Sequence, residues 1–597
     1  MCARGRTNGF PAAGYLLEVT TQARPDLQRL ARDRFGWDRL RPGQTEAVEA
    51  LVAGRDVLAV MPTGAGKSAI YQIAALVIDG PTVVVSPLLA LQHDQAAALS
   101  TADVPEAVTV NSSASAAEVR AAWEQVRAGE AEYLFLTPEQ LAKQEVLEQL
   151  AEVAPSLLVV DEAHSVSSWG HDFRPDYLRI GDAVERLGHP TVVALTATAA
   201  APVRAEIVER LGLTDPLEVI QGFDRPNIEL VVQRFVDDDS KRRAVVDQVQ
   251  EQKRPGLVYV ATRKDTGRYQ EALAAQGLRA AAYHGGLRAA DRERVHRQFL
   301  DDELDVVVAT SAFGMGIDKP NVRFVLHADI PESLDAYYQE IGRAGRDGDP
   351  ALALLLYREE DLGLRRFFTA GPPDQKALRT VARAVRGADG AVAPDEARGR
   401  VDLPRRAFTA ALNLFEEAGA VQVDANHRLA WAEDRPTVPT AVRRAVAVAE
   451  QHQKMEQSRL EMVRAYAETL RCRRQVLLGY FGEQLEHPCG RCDTCRSGTA
   501  QDHADREPCG AAGAAGDELV PQSRVEHRQW GPGVVMDSES DRVTVLFETV
   551  GYKTLARQAF GDGPLQVAGE GRDQAGHDGE GGQGKDTGGM TARASGE

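Results

Sequence analysis

Short apolar runs alternate with stretches of helical period through the first third of the chain. Val57-Leu58-Ala59-Val60 is a continuous apolar run after Asp56, and Ser68-Ala69-Ile70-Tyr71-Gln72-Ile73-Ala74-Ala75-Leu76 follows with helical spacing. Further runs at 82–86, 133–136, 157–161 and 191–195 read as strands. Strands apolar at every position are buried on both faces, so this β/α alternation predicts a mostly parallel sheet covered by helices on both sides. Ligands of such sheets collect beyond the carboxyl ends of the strands.

The pattern changes beyond residue 360. Residues 374–386 read as a helix, and Asp402-Leu403-Pro404 starts another whose apolar face carries Phe408, Leu412 and Phe415. The runs 420–423 and 428–431 flank a polar turn as a short hairpin. Residues 373–435 are therefore expected to form a winged-helix-like insert, with Arg405 and Arg406 at a helix start, or else a purely structural helical insert. Residues 440–475 keep a helical period and carry eight Lys or Arg against four Asp or Glu, the strongest local basic patch by count. Val525–Met536 pairs across a polar turn with Arg542–Phe547, and Gly551–Leu555 follows, which predicts a small barrel over 520–560. Residues 1–24, a linker at 498–519 and a tail at 561–597 are expected to be disordered, being rich in glycine and small polar residues.

Length and charge narrow the class. A chain of 597 residues exceeds one core, and about three to five domains are expected. A net charge of -19 argues against a histone-like electrostatic binder, yet a nucleic-acid groove needs only local cations. No apolar run approaches a membrane span of about 18 residues and no signal-peptide pattern opens the chain, so no membrane partner is expected and the cytoplasm, at the nucleoid, is the expected location. Of six cysteines, four are Cys472, Cys489, Cys492 and Cys495, whose C-x-x-C steps suit tetrahedral zinc in a structural site.

The chemistry concentrates at strand ends. Met61-Pro62-Thr63-Gly64-Ala65-Gly66-Lys67-Ser68 is a phosphate loop between strand and helix, although Met61 stands where the strict pattern has glycine. Backbone N–H groups from Thr63 to Lys67 would cradle phosphates, the Lys67 charge would meet the outer ones, and the Ser68 hydroxyl would ligate magnesium. Upstream, Gln44 matches an adenine edge with its donor and acceptor, and Arg41 can stack on the base. After the run 157–160, Asp161 is aimed at the same magnesium and Glu162 at the attacking water, so hydrolysis of a nucleoside triphosphate is the reading. In the next loop Trp169, His171, Phe173 and Arg174 suit stacking on single-stranded bases, and Thr196-Ala197-Thr198 relays hydrogen bonds between the two sites.

Together the phosphate loop, Asp161-Glu162-Ala163-His164, the loop Ser165–Tyr177 and Ala194–Ala199 resemble superfamily 2 helicases of the RecQ family. Phe223-Asp224-Arg225-Pro226-Asn227, Tyr283–Leu287, Ala309–Lys319 and Tyr338–Gly348 extend the resemblance over 27–357, and it resumes at 471–497. The resemblance implies α/β architecture with two RecA-like lobes, 25–222 and 223–360, then the insert, a helical zinc module at 440–497 and the barrel. It implies an ATP-dependent 3′-to-5′ DNA helicase using ATP, Mg²⁺ and Zn²⁺, acting on single-stranded and duplex DNA in repair and recombination. Arg346 is the implied arginine finger, with Arg343 beside it and Gln339 on the nucleotide. A guanidinium from a second lobe would stabilise charge on the transferred phosphoryl group. The insert before the zinc module and the lack of an HRDC-like domain depart from the family. The barrel resembles the Tudor-like tail of UvrD and PcrA helicases, which implies docking of RNA polymerase or another protein through 520–560; a generic barrel remains open. An RNA helicase, and a partner-docking ATPase that unwinds nothing, are the alternative functions.

Overall fold

The computed structural model describes residues 26–87, 89–111, 114–167, 174–314, 317–369, 371, 373–388, 390–424, 428–506, 519–539, 541–557 and 564–567. Trp169, His171 and Phe173 lie outside the described residues, as do the N-terminal extension to residue 25 and most of the C-terminal tail.

Seven strands form the first sheet: β1 (Val57–Val60), β2 (Thr82–Val85), β3 (Glu106–Val110), β4 (Ala131–Leu136), β5 (Leu157–Val160), β6 (Thr191–Thr196) and β7 (Leu217–Ile220). They run parallel in the order β3-β4-β2-β5-β6-β1-β7. All four residues of β1, β2 and β5 are buried, as continuous apolar strands between two helical layers must be. The second sheet holds β8 (Ile228–Arg234), β9 (Gly256–Tyr259), β10 (Ala280–Tyr283), β11 (Val306–Ala309), β12 (Phe324–His327) and β13 (Ala351–Tyr357), parallel in the order β10-β11-β9-β12-β13-β8. The first sheet meets the second lobe at its strands' carboxyl ends, where β1 runs into the phosphate loop; the second lobe answers with a segment at the amino ends of β8 and β12, where Gly345 bonds Val322 and Asn227.

A single helix, Val438–Glu468, organises everything after the lobes. Its 31 residues span about 46 Å at 1.5 Å each. Ala441, Val442 and Ala445 near its start pack into the insert core with Leu378, Val381, Phe408 and Phe415. Leu460, Val463, Tyr466 and Ala467 near its end join the lobe core, with Tyr466 against Tyr337 at 5.3 Å. The insert has helices Gln375–Arg386, Pro394–Gly399 and Arg405–Glu417, then the antiparallel pair β14 (Val421–Val423) and β15 (Leu429–Trp431), a winged-helix-like order.

The last module is a five-stranded antiparallel half-barrel of β16 (Arg524–His527), β17 (Gly531–Ser538), β18 (Arg542–Phe547), β19 (Gly551–Ala556) and β20 (Leu565–Val567), in the order β19-β18-β17-β16-β20. Two expectations are corrected here. The tail from 561 contributes β20, which pairs with β16, with Leu565 fully buried in the barrel core and Gln566 exposed. The linker from 498 begins with a helix, Thr499–Arg506, which buries Ala500 against the zinc module.

Candidate functional site

The phosphate loop leaves β1 at Met61 and enters the helix Ser68–Ala75, with Gly64 and Gly66 at φ +82° and +80°. Such angles disfavour any side chain. The Lys67 ammonium donates to the Met61 carbonyl at 3.2 Å. Burial lowers its pKa, and the Glu162 and Asp161 carboxylates beside it oppose that shift, while Arg346 adds to it. Asp161, 8% exposed, moves the other way: burial and then the adjacent Glu162 raise its pKa, against Lys67. Ser86 Oγ donates to Asp161 Oδ2 at 3.3 Å, the Glu162 N–H to Oδ1 at 3.0 Å, and Tyr177 OH to the Asp161 carbonyl at 2.9 Å. Glu162 holds a left-handed backbone at φ +49°, an uncommon conformation for a residue with a side chain. Its carboxylate lies 3.3 Å from His164 Nδ1, which also meets Thr196 Oγ1 at 3.0 Å; Thr196 in turn donates to the Thr198 carbonyl at 3.1 Å. Glu162, His164, Thr196 and the Thr198 carbonyl are thus in continuous contact; the aromatic-loop end of the expected relay between the two sites lies outside the described residues.

The second lobe supplies its arginines to this loop. A Cβ on Gly64 would lie 3.3 Å from Arg346 Cγ, so the arginine rests against the loop backbone. Arg346 is 9% exposed and bonds Asp318 at 2.6 Å; burial lowers its pKa and Asp318 opposes the shift. Arg343 is 3% exposed behind it. Arg225, between the lobes, donates to the carbonyls of Thr63 at 3.5 Å and Gly342 at 3.0 Å, fastening the loop to the segment that leads to Arg346. Thr63 Oγ1, Thr198 Oγ1, Arg343 Nε and Arg346 Nε are buried with no protein partner, although buried polar atoms nearly always have one. Thr63 Oγ1 and Arg346 Nε lie where the phosphate loop meets the second lobe, so the donor set there fits a triphosphate, with Ser68 and Asp161 fitting its magnesium.

Arg41 and Gln44 are engaged by the loop itself. Gln44 donates from Nε2 to the carbonyls of Ala65 and Gly66 at 3.0 and 2.9 Å and accepts the Arg41 N–H at 2.7 Å. Arg41 bonds the Gly64 carbonyl at 2.6 Å. Both residues thus brace the loop's backbone, where an adenine-facing pair was expected. Gln339 is buried on the helix Leu334–Ile341. Arg174 reaches the Pro87 carbonyl at 3.5 Å.

Cys472, Cys489, Cys492 and Cys495 have their sulfurs within 4.8 Å of one another, a cluster that fits tetrahedral zinc. Arg473 locks the two halves of this module by a two-bond pair with Asp493 at 2.9 and 3.0 Å. The basic patch expected over 440–475 is largely spent inside the protein. Arg444 pairs with Asp434, Arg464 with Glu359 and Glu468, Arg471 with Asp537 and Glu539, and Arg474 with Asp224. An unpaired stripe lies instead on the helix Gln375–Arg386, where Lys376, Arg379, Arg383 and Arg386 are exposed, no acid intervenes, and none has an ion pair among the described residues. That spacing puts all four on one face, and Leu378, Val381 and Val385 are buried on the opposite one.

Two parallel-sheet lobes with a phosphate loop and acidic pair on one, and arginines entering from the other, define a nucleoside-triphosphate-driven motor of helicase superfamily 2. Residues 41–206 match the DEAD/DEAH box helicase domain, 240–348 the helicase conserved C-terminal domain and 432–496 the RecQ zinc-binding domain. The probable ATP-dependent DNA helicase RecS of Bacillus subtilis is 40% identical over 344 residues, 57% of this chain and 68% of that protein. The ATP-dependent DNA helicase RecQ of Pasteurella multocida is 35% identical over 462 residues, 77% of this chain and 61% of that protein. Among solved structures, the Mycobacterium smegmatis helicase Lhr bound to single-stranded DNA and AMP-PNP aligns at TM-score 0.47 and 23% identity, over 71% of this chain and 62% of that one. The chain belongs to the RecQ family of ATP-dependent DNA helicases.

Proposed function

We propose that the chain couples ATP hydrolysis to 3′-to-5′ translocation on single-stranded DNA and to unwinding of duplex DNA, in repair and recombination, within the cytoplasm and at the nucleoid. The apposition of Arg346 and the loop at Gly64 supports this most directly, because it spans the two lobes. Backbone N–H groups of Thr63–Lys67 bind the phosphates and Lys67 meets the outer ones. Ser68 and Asp161 would hold Mg²⁺, which would neutralise charge between those phosphates. Glu162 orients the attacking water and takes its proton, with His164 keeping the carboxylate in place. Arg346, with Arg343 behind it, meets the charge that develops on the transferred phosphoryl group. Gln339, Arg41 and Gln44 complete the nucleotide's surroundings, the last two by exchanging loop carbonyls for the base. Loss of the outer phosphate removes one of the ties between the lobes, and the cleft loosens.

Trp169, His171, Phe173 and Arg174 take the single strand by stacking and charge, while Lys376, Arg379, Arg383 and Arg386 track a duplex backbone. A protein partner, RNA polymerase among the candidates, would meet the half-barrel on its outer face. ATP turnover measured with single-stranded DNA, RNA and neither, beside displacement of a strand from a 3′-tailed duplex, tests the reading. Stimulation by RNA alone, or turnover without displacement, refutes it.

A further inference from the structure

The half-barrel touches the first lobe directly and reaches the second through Tyr480 of the zinc module. On one side Ala200, two residues beyond Thr198 in the first lobe, shares a buried apolar cluster with Met455 of the long helix and with Met536 and Leu546 of the barrel. On the other side Tyr552 OH donates to Tyr480 OH at 2.9 Å, and Tyr480 OH donates to Asp335 Oδ2 at 2.5 Å, with the two rings stacked at 5.6 Å. Tyr480 is 4% exposed and Asp335 7% exposed. Asp335 lies in the first turn of the helix Leu334–Ile341, whose far end runs through Gly342 and on to Arg346. A rigid helix therefore separates the barrel's hydrogen-bond chain from the arginine at the phosphate loop.

The seat beneath the barrel is close-fitting. Gly551, at φ +72°, lies so near the long helix that a Cβ there would run into Ser458 Oγ. Gln451 Nε2 donates to the Glu548 carbonyl at 3.0 Å, and one Arg471 nitrogen, next to the metal ligand Cys472, serves Asp537 at 2.6 Å and Glu539 at 3.1 Å. Polar groups removed from water stay only where they are paired, so these bonds make the seat specific. A module serving solely to dock a partner has no use for such bonds to the long helix and the zinc module.

We propose that the half-barrel is a brace across the two lobes, in which Tyr552, Tyr480 and Asp335 are positioning residues that hold Arg346 against the phosphate loop. It rests on the reading of Arg346 as the group that meets the outer phosphate. Displacing the barrel slackens the lobe carrying Arg346 and leaves Lys67 and Ser68 untouched, so turnover falls while ATP affinity persists. A macromolecule that competes for the Met536–Leu546 face would act as a brake.

The test is steady-state ATP turnover of the full chain at saturating single-stranded DNA. Gly551→Ala drives a methyl into Ser458 and is expected to lower kcat about tenfold, with KM for ATP within about twofold. Adding Ser458→Gly clears the clash and recovers part of the loss, the remainder being the strain of a side chain at the left-handed Gly551 backbone. Tyr552→Phe removes one hydroxyl, keeps the ring, and lowers kcat about threefold. In an Arg346→Ala background neither change lowers the residual turnover further, since a residue acting through Arg346 has nothing left to position. Equal further loss in that background, or kcat within twofold of wild type in both single variants, overturns the brace. A wild-type chain without DNA-dependent turnover overturns the reading of the cleft and the brace with it, whereas a working wild type beside unaffected variants overturns the brace alone.

Discussion

Replacing Lys67 by methionine keeps the length of the side chain and removes its charge. In the folded chain that charge sits between the Met61 carbonyl, Asp161 and Glu162, and burial is the largest influence on it. A cation held where desolvation dominates is a burden on folding, retained for what it does to a ligand. Lys67→Met should therefore shift the melting temperature by less than about 3 °C, the equivalent of about 1 kcal/mol in a domain of this size. Its effect on chemistry is much larger. Two charge-assisted hydrogen bonds to phosphate oxygens are lost, each of about 1.5–3 kcal/mol, so the barrier rises by about 3–6 kcal/mol and turnover falls by about 10² to 10⁴. DNA-stimulated phosphate release and thermal unfolding, measured on the same preparation, separate the two effects. Turnover within tenfold of wild type refutes the phosphate-binding role; a loss of turnover that travels with a melting point lowered by more than about 5 °C makes the lysine structural instead.

Three further outcomes are expected. Asp161 has a raised pKa, so the folded chain binds its proton more tightly than the unfolded one; this contribution to stability is full below the unfolded pKa and is lost as pH rises through the folded value. Turnover needs the ionised carboxylate, so it should fall on acidification with a midpoint above the ordinary carboxylate range, and raised Mg²⁺ should move that midpoint down; a midpoint indifferent to Mg²⁺ counts against Asp161 as its ligand. Cys492→Ser should lower bound zinc from about one per chain and reduce the melting temperature, read by metal analysis and calorimetry, because Cys492, 1% exposed, belongs to the four-sulfur cluster. Arg383→Glu with Arg386→Glu should weaken duplex binding and flatten the slope of log affinity against log salt by about 0.9 for each phosphate that the helix no longer neutralises. An unchanged slope would take the stripe out of the DNA interface.

What the sequence makes legible follows burial. Runs such as 157–161 are recognisable because β5 is covered on both faces and has no polar position to blur the pattern. The edge strands β3 and β7 escape the same reading: Glu106-Ala107-Val108-Thr109-Val110 is half exposed and mixes polar with apolar residues. Local chemistry at strand ends is equally readable, since Lys67, Ser68, Asp161 and Glu162 each follow a buried strand. The meeting of Gly64 with Arg346 is not, because no periodicity links residues so far apart; only family resemblance supplies it. Gln44 shows the limit of side-chain reasoning in the other direction. Its donor and acceptor suit an adenine, but they suit the loop carbonyls of Ala65 and Gly66 equally well, and those lie nearer.

Charge gives the sharpest contrast between counting and placement. The 440–475 segment has the richest local excess of cations, yet Asp434, Asp224, Asp537 and Glu539 come from elsewhere in the chain to pair with Arg444, Arg474 and Arg471. Those pairs hold the insert, the interlobe link and the half-barrel to one spine. The stripe from Lys376 to Arg386 attracts no such acids because its helix is docked by its apolar face alone, and the cations are left in water. A chain of net charge -19 can then approach a polyanion only where its own acids have been kept away. The same electrostatics that repel DNA from most of the surface would steer it to this helix and to the cleft side of the lobes, so the acidic excess sharpens the choice of docking face.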